Sequence, residues 1–233
     1  HNWSYVYPKP EDMAGEQKAW IKNFIKTVEN TINGNSFTNL STGYSKYIDV
    51  PSFIDFQIMN ELPNNVDAYR YSAYFYKDRD RDGGKLKAGP LWDFDLGYGN
   101  VNYSPENLAV DQWDFNKIGP DERNCLHWWA RLMDDPDYVM AVKKRWSFLR
   151  LETLSTDSIV NYIDEQVRML GDAVGRNFNK WPILGTYVWP NSTVGKTYST
   201  EVQFLKDWLL GRLSWMDRQW LIPLDENGIS DEN

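Results

Sequence analysis

The 233-residue sequence has little cysteine, little histidine and no long apolar run. Its one cysteine, Cys125, rules out an internal disulfide framework, and the chain is long enough to bury a core without one. No apolar run approaches the roughly 20 residues that cross a bilayer, so we expect no membrane span. The 33 acidic residues outnumber the 25 basic ones. The resulting net charge of −8 argues against a nucleic-acid binder, which needs a basic surface.

Several common catalytic signatures are also missing. The sequence contains no Gly-x-Ser-x-Gly elbow, no zinc-binding pattern and no Walker A loop. His1 is terminal, and His127 precedes two tryptophans in a pattern typical of a packed helix start rather than a catalytic base. The sequence leaves open the alternative of a glycosidase with two facing carboxylates, but it points to no particular pair of acidic residues.

The composition is that of a globular protein, with 42% hydrophobic and 25% charged residues. Its unusual feature is an aromatic share of 15%, including 12 tryptophans. Three tryptophans lie near helical apolar stripes and are predicted to fill the core: Trp146, Trp208 and Trp215. Three others lie in predicted loops and are candidates for exposure: Trp3, Trp181 and Trp189.

Apolar residues recur at helical spacing along most of the chain. They predict helices from Ile21 to Ile32, Asp49 to Pro63, Pro136 to Leu149, Ser155 or Thr156 to Val174 and Thr200 to Met216. The aromatic segment 69–77 and the segment 85–92 are predicted strands of a β-hairpin with a tip at 78–84. The fold class is therefore mainly α with a small β-hairpin (α+β). We expect one domain over residues 1–220 and a polar tail over 221–233.

The best candidate for chemistry is the segment 89–100, in which Asp93 and Asp95 follow a predicted strand. Carboxylate oxygens suit Mg²⁺, and both would point to one face if the strand continued through Asp95. Gly97 and Gly99 would let a ligand approach the backbone. The alternative is an ordinary strand-end turn whose aspartates cap nearby amides.

A second polar cluster, Asn64, Asn65 and Asp67, precedes the hairpin. Because the two clusters bracket the hairpin, Asp67 could come near Asp93 and Asp95. Converging oxygen donors would serve phosphoryl transfer, in which catalysis is mostly positioning and metal electrostatics. The alternative is an Asx-turn at the end of a helix.

The hairpin tip, Asp78-x-Asp80-x-Asp82-Gly83, resembles the opening of an EF-hand loop. Such a loop needs a bidentate glutamate at its twelfth position, and here that position is Gly89. The sequence therefore favours a solvated tip over a calcium site.

Taken in order, these segments resemble the CotH kinase family, the spore-coat-type atypical kinases and their relatives in bacterial surface proteins. The Trp92-Asp93-Phe94-Asp95 stretch is the most specific piece, since it resembles the family's Trp-Asp-x-Asp metal-binding motif. Further similarity lies in residues 47–55, 60–62, 65–67, 74–78, 128–132, 145–146, 176–178 and 208–216. The resemblance covers about Pro8 to Trp220, and the later helices are similar to those of the surface-protein branch.

The resemblance implies a distant protein-kinase-like fold that uses Mg²⁺ and ATP to phosphorylate protein serines. Asp93 would correspond to the Mg²⁺-binding aspartate, with Asp95 beside it as a second metal ligand. Asp67 would correspond to the catalytic-loop aspartate that orients the acceptor hydroxyl or a metal. The position of the second-metal asparagine falls on Ser72, a poorer ligand, so Asn64 or Asn65 would compensate in binding the cofactor.

The same resemblance suggests that only part of the kinase-like fold is present. No Gly-rich phosphate loop and no strand lysine precede these motifs, and the sequence starts abruptly at His1. We therefore expect a C-terminal lobe that binds ATP poorly or not at all without its N-terminal lobe. The resembling branch implies a bacterial cell-envelope or extracellular location, with an unidentified protein substrate. The alternative function is a non-catalytic surface module that binds glycan or protein through exposed aromatics.

Overall fold

The computed structural model describes residues 3–116, 126–222, 224–225 and 228–229. His1 and Cys125 lie outside these residues. The α-helices are α1 (Gly15–Asn33), α2 (Val50–Glu61), α3 (Pro105–Leu108), α4 (Trp128–Leu132), α5 (Pro136–Leu151), α6 (Thr156–Leu170), α7 (Asp172–Lys180) and α8 (Tyr198–Trp220). The strands are β1 (Phe75–Lys77), β2 (Leu86–Ala88), β3 (Leu224–Asp225) and β4 (Gly228–Ile229). The prediction of a mainly α fold with a small β-hairpin is confirmed.

The polar residues at two predicted helix starts act as caps. The carboxylate of Asp49 accepts a hydrogen bond from the Ser52 backbone N–H at 3.0 Å, at the start of α2. The carboxylate of Asp135, just before α5, accepts a hydrogen bond from the Asp137 backbone N–H at 3.0 Å. Each cap satisfies a backbone donor that has no partner within its own helix.

The hairpin strands are shorter than predicted. β1 pairs antiparallel with β2 in the register Phe75↔Ala88, and only three residues of each strand take part. Residues 67–72 form a turn instead, in which the Ser72 backbone N–H donates to the Asp67 carbonyl at 3.0 Å. Aromatic side chains can pack in a buried turn as well as in a strand. Tyr69 is buried in this turn, with its ring centroid 5.0 Å from that of Trp129. The strand prediction over residues 69–74 was wrong for this reason.

Several helix boundaries also differ from the predictions; α1, for example, begins at Gly15 rather than at Ile21. The helix predicted to run to Val174 breaks at Gly171, whose φ of 43° separates α6 from α7. α8 begins earlier than expected, because Thr197 rather than Thr200 is the N-cap. The Thr197 hydroxyl accepts from the Thr200 backbone N–H at 3.2 Å. His127 directly precedes α4, which confirms its place at a helix start.

Backbone proximity divides the chain into two compact units. Unit 1 comprises residues 1–57, 67–92 and 115–139, and unit 2 comprises residues 58–66, 93–114 and 140–233. The single domain over 1–220 and the polar tail over 221–233 stay predictions. Within the latter segment, β3 and β4 pair with each other.

An aromatic cluster forms the core of unit 1. Trp129 lies at its centre, fully buried, with its indole N–H donating to the Phe53 carbonyl at 2.9 Å. Its ring centroid lies 4.9 Å from that of Phe56 and 5.2 Å from that of Phe53. Tyr69, Phe75 and Trp128 complete the cluster. Much of the aromatic excess in the sequence therefore serves packing.

The core of unit 2 gathers around α8. Trp146 and Trp208 are buried and Trp215 is half-buried, which supports the prediction that they fill the core. The stacked rings of Trp113 and Trp220 lie 4.0 Å apart. The three loop tryptophans predicted to be exposed are exposed: Trp3, Trp181 and Trp189.

The helices of the described ranges include no candidate for a membrane span. None of them combines the length and the apolar character that crossing a bilayer requires.

Candidate functional site

The Asp93 loop is the candidate metal-binding segment, and it belongs to unit 2. β2 ends at Ala88, so Asp93 and Asp95 do not continue a strand, and the single-face geometry expected of one does not apply. Asp93 instead has a left-handed backbone, with φ at 60°. Such a conformation costs a non-glycine residue about 1–3 kcal/mol and persists only where its surroundings hold it.

Asn65 holds the backbone of Asp93. Its side-chain amide donates to the Asp93 carbonyl at 3.3 Å and to the Asn60 side-chain oxygen at 3.2 Å. Its own backbone N–H donates to the Asn60 carbonyl at 3.1 Å. Asn60 and Asn65 are buried, whereas Asp93 and Asp95 are exposed. Two buried amides therefore link the end of α2 to a loop that presents carboxylates to solvent.

The sequence analysis missed Asn60. Its only signal is an asparagine in the last turn of a helix, five residues before Asn65. Such a residue becomes informative only once the chain has turned back and placed the two amides 3.2 Å apart.

The glycines that follow the aspartates make close contacts within the protein. A Cβ on Gly97 would lie 3.0 Å from the Pro63 Cβ, and one on Gly99 would lie 2.6 Å from the Trp208 ring. Between them, the Tyr98 backbone N–H donates to the Pro63 carbonyl at 2.6 Å. Burial raises the pKa of the Tyr98 phenol above its ordinary value. The expectation that these glycines admit a ligand is corrected, because the space beside them is filled by Pro63 and Trp208.

Asn64 contributes to the architecture of unit 2. It is buried with a left-handed φ of 51°. Its side-chain nitrogen donates to the carbonyls of Asn107 at 3.3 Å, Glu106 at 3.4 Å and Ala109 at 3.5 Å. These carbonyl oxygens lie at the end of α3, so the Asn64 amide stabilises the last turn of that helix. Its predicted role in cofactor binding stays a prediction.

Asp67 and Ser72 belong to unit 1 and share one turn. The Asp67 carbonyl accepts from the backbone N–H groups of Ser72 at 3.0 Å and Arg70 at 3.3 Å. The Asp67 carboxylate lies 3.4 Å from the Arg70 guanidinium, and its side chain is partly exposed. Ser72 is buried. The catalytic role of Asp67 and the cofactor role of Ser72 stay predictions.

Comparison with known proteins identifies the family. A family model described as CotH kinase protein matches residues 1–216, nearly the whole chain. The chain belongs to the CotH kinase family. No curated protein and no solved structure matches it. The assignments to the surface-protein branch and to a C-terminal lobe stay predictions.

Membership of the CotH kinase family implies nucleotide and metal use in general. Among the residues that the structure describes, no three histidine, cysteine, aspartate or glutamate side chains lie close enough together to hold a metal. Mg²⁺ needs no such group, because one or two carboxylates, phosphate oxygens and water complete its shell. Asp93 and Asp95 fit that requirement as exposed hard-oxygen donors two residues apart.

The hairpin tip uses its aspartates differently. Asp80 accepts from the Lys77 ammonium at 2.7 Å, and Asp78 accepts from Lys87 at 3.3 Å. The Lys77 ammonium also lies 4.8 Å from the Trp20 ring centroid. Two of the three tip carboxylates are thus paired with lysines, which favours the solvated tip over a calcium loop in this CotH kinase domain.

Proposed function

We propose that the chain is a CotH-type kinase-like domain that takes part in Mg²⁺- and ATP-dependent phosphoryl transfer to protein serine and that by itself binds Mg-ATP weakly. The observation that carries the proposal is the Trp92-Asp93-Phe94-Asp95 segment, in which buried Asn65 supports a left-handed, exposed Asp93. The family match over residues 1–216 supports the same reading.

Each carboxylate has a role in this proposal. Asp93 and Asp95 would hold Mg²⁺, which would neutralise charge on the phosphate oxygens. By the family resemblance, Asp67 would orient the acceptor serine hydroxyl and accept its proton. The γ-phosphorus then loses its bond to the bridging oxygen of ADP and gains one to the serine oxygen. Asn65 acts as a positioning residue through the Asp93 backbone.

Thermal unfolding with and without Mg-ATP tests the binding step. A ligand at ten times its Kd stabilises by about 1.4 kcal/mol. For a chain of this length that is a rise in Tm of about 3–6 °C. We expect Asp93→Asn to abolish the rise and Asp95→Asn to reduce it. Asp82→Asn, an exposed aspartate at the hairpin tip, is the matched control and should keep it.

Transfer of labelled phosphate from ATP to a serine-rich protein tests the chemical step. We expect Asp67→Asn to lose transfer while keeping the Mg-ATP rise in Tm, because Asp67 acts on the acceptor. An unchanged rise in Asp93→Asn, or no rise in the parent chain at 10 mM Mg-ATP (about ten times a millimolar Kd), would refute the proposed site.

The cellular location belongs to the same proposal and rests on the family resemblance. We propose that the chain acts in a bacterial cell envelope or outside the cell. Fractionation of the source cells followed by immunoblotting tests this, and recovery in the cytosolic fraction alone would contradict it.

A further inference from the structure

Two loops of unit 2 present aromatic rings to solvent. Trp189 is 69% exposed, Tyr187 is 53% exposed and Tyr103 is 49% exposed. The ring centroids of Tyr103 and Trp189 lie 5.8 Å apart, with their planes at 48°. The Asn102 side-chain amide donates to the Tyr187 hydroxyl at 3.0 Å. We call these four residues the aromatic platform.

Hydrogen bonds between the two loops hold the platform in place. The Asn102 backbone N–H donates to the Pro190 carbonyl at 3.0 Å, and the Ser192 hydroxyl donates to the Gly99 carbonyl. Within the second loop, the Gly185 N–H donates to the Gly195 carbonyl at 2.8 Å. A surface fixed in this way loses little conformational entropy when a ligand binds.

The charge pattern of the two loops selects the class of ligand. Neither segment 97–103 nor segment 181–195 contains a charged residue, although 25% of the chain is charged. Nucleic acids and anionic lipids are bound through lysine and arginine, which these loops lack. The loops instead offer exposed rings together with amide and hydroxyl groups. This combination suits an uncharged ligand that is apolar on one face and rich in hydroxyls at its edge.

We propose that the aromatic platform binds neutral carbohydrate. The apolar C–H face of a pyranose stacks on Trp189 and Tyr103, as aromatic rings do with other flat apolar groups. The Tyr187 hydroxyl already accepts from Asn102, so its proton is available to a sugar oxygen, and the Asn102 side-chain oxygen accepts from a sugar hydroxyl. The site does not depend on the Asp93 loop or on phosphoryl transfer.

A glycan array followed by calorimetry tests the proposal on the whole chain. The probes are hexasaccharides of neutral β-glucan, xylan, chitin and mannan, with polyuronic and sulfated hexasaccharides for comparison. We expect at least one neutral probe to bind and the acidic probes to bind no better. Trp189→Ala should weaken that binding about tenfold, or about 1.4 kcal/mol. Trp189→Phe keeps a ring and should retain most of it.

Tyr162→Ala is the matched control, since Tyr162 is 63% exposed on α6 of the same unit. It should bind like the parent chain, and so should Asp93→Asn, which separates this site from the kinase site. Circular dichroism confirms that each variant is folded. The proposal is overturned if no neutral probe binds, if only acidic probes bind, or if Trp189→Ala binds like the parent chain. A protein-binding platform would give the first of these results.

Discussion

Replacing Arg212 with methionine should strongly destabilise unit 2. Arg212 and Glu61 are both 0% exposed, with the guanidinium 3.3 Å from the Glu61 carboxylate. The same guanidinium donates to the carbonyls of Glu61 at 2.6 Å, Val110 at 2.8 Å and Gln112 at 2.6 Å. One side chain therefore neutralises a buried charge and satisfies three backbone acceptors.

The expected loss follows from what the substitution leaves behind. Removing one partner of a buried ion pair costs about 3–5 kcal/mol, because the other charge remains uncompensated. At about 2–4 °C per kcal/mol for a chain of this size, the Tm should fall by about 6–20 °C. Arg212→Lys keeps the charge but lacks the planar fork that reaches several acceptors, so it should recover only part of the loss.

Urea unfolding followed by tryptophan fluorescence and circular dichroism measures the effect. The control is the double variant Glu61→Gln with Arg212→Met, which removes the buried negative charge as well. It should be more stable than Arg212→Met alone, and comparison with both single variants, Glu61→Gln and Arg212→Met, gives the coupling between the two residues. A loss below about 1 kcal/mol for Arg212→Met, well under the cost of breaking a buried pair, would refute the reasoning. So would a double variant no more stable than the single one.

Two further predictions concern stability. Gly99→Ala should lower the Tm more than Gly185→Ala. Both glycines have a positive φ, but only a Cβ on residue 99 would lie 2.6 Å from the Trp208 ring. Equal Tm values for the two variants would contradict this prediction. Burial, and then the 2.6 Å hydrogen bond to Asp135, raise the pKa of the Tyr44 phenol above its ordinary value of 10.0. A raised folded-state pKa means that this stabilisation is complete below pH 10 and is lost as the pH rises further. Tyr44→Phe should therefore lose about 1.5–3 kcal/mol at pH 7 and decline less steeply above pH 10. Urea unfolding midpoints of the parent chain and of Tyr44→Phe from pH 7 to 11 measure this difference in stability. Parallel pH profiles of the two proteins would refute the prediction.

Local sequence patterns predicted most of the helices, because an apolar stripe needs only neighbours three and four residues away. They failed where distant packing decides. The aromatic run that includes Tyr69 pointed to a strand, yet Trp129, 60 residues later, buries it in a turn. Composition alone does not distinguish these two uses of an aromatic side chain.

In the candidate site, too, local sequence patterns were predictive and contacts with distant residues were not. The motif around Asp93 was visible in the sequence, but the hydrogen bond that its backbone carbonyl accepts from Asn65, 28 residues earlier, was not. Gly99 looked like an approach for a ligand because a sequence gives no sign that Trp208 occupies the space. Residue type predicted the possible chemistry, while the neighbours that position each group became apparent only in the folded chain.

The pairing of Glu61 with Arg212 also imposes an order on folding during synthesis. The two residues are 151 positions apart, so at roughly 5–20 residues per second the ribosome adds Arg212 on the order of ten seconds after Glu61. Until α8 emerges, the Glu61 carboxylate lacks this guanidinium, and burying it would be costly. The last segment of unit 1 ends at residue 139 and is synthesised earlier. On the ribosome, every segment of unit 1 is therefore synthesised before Arg212, whereas unit 2 lacks the partner of its buried Glu61 until the final helix is made.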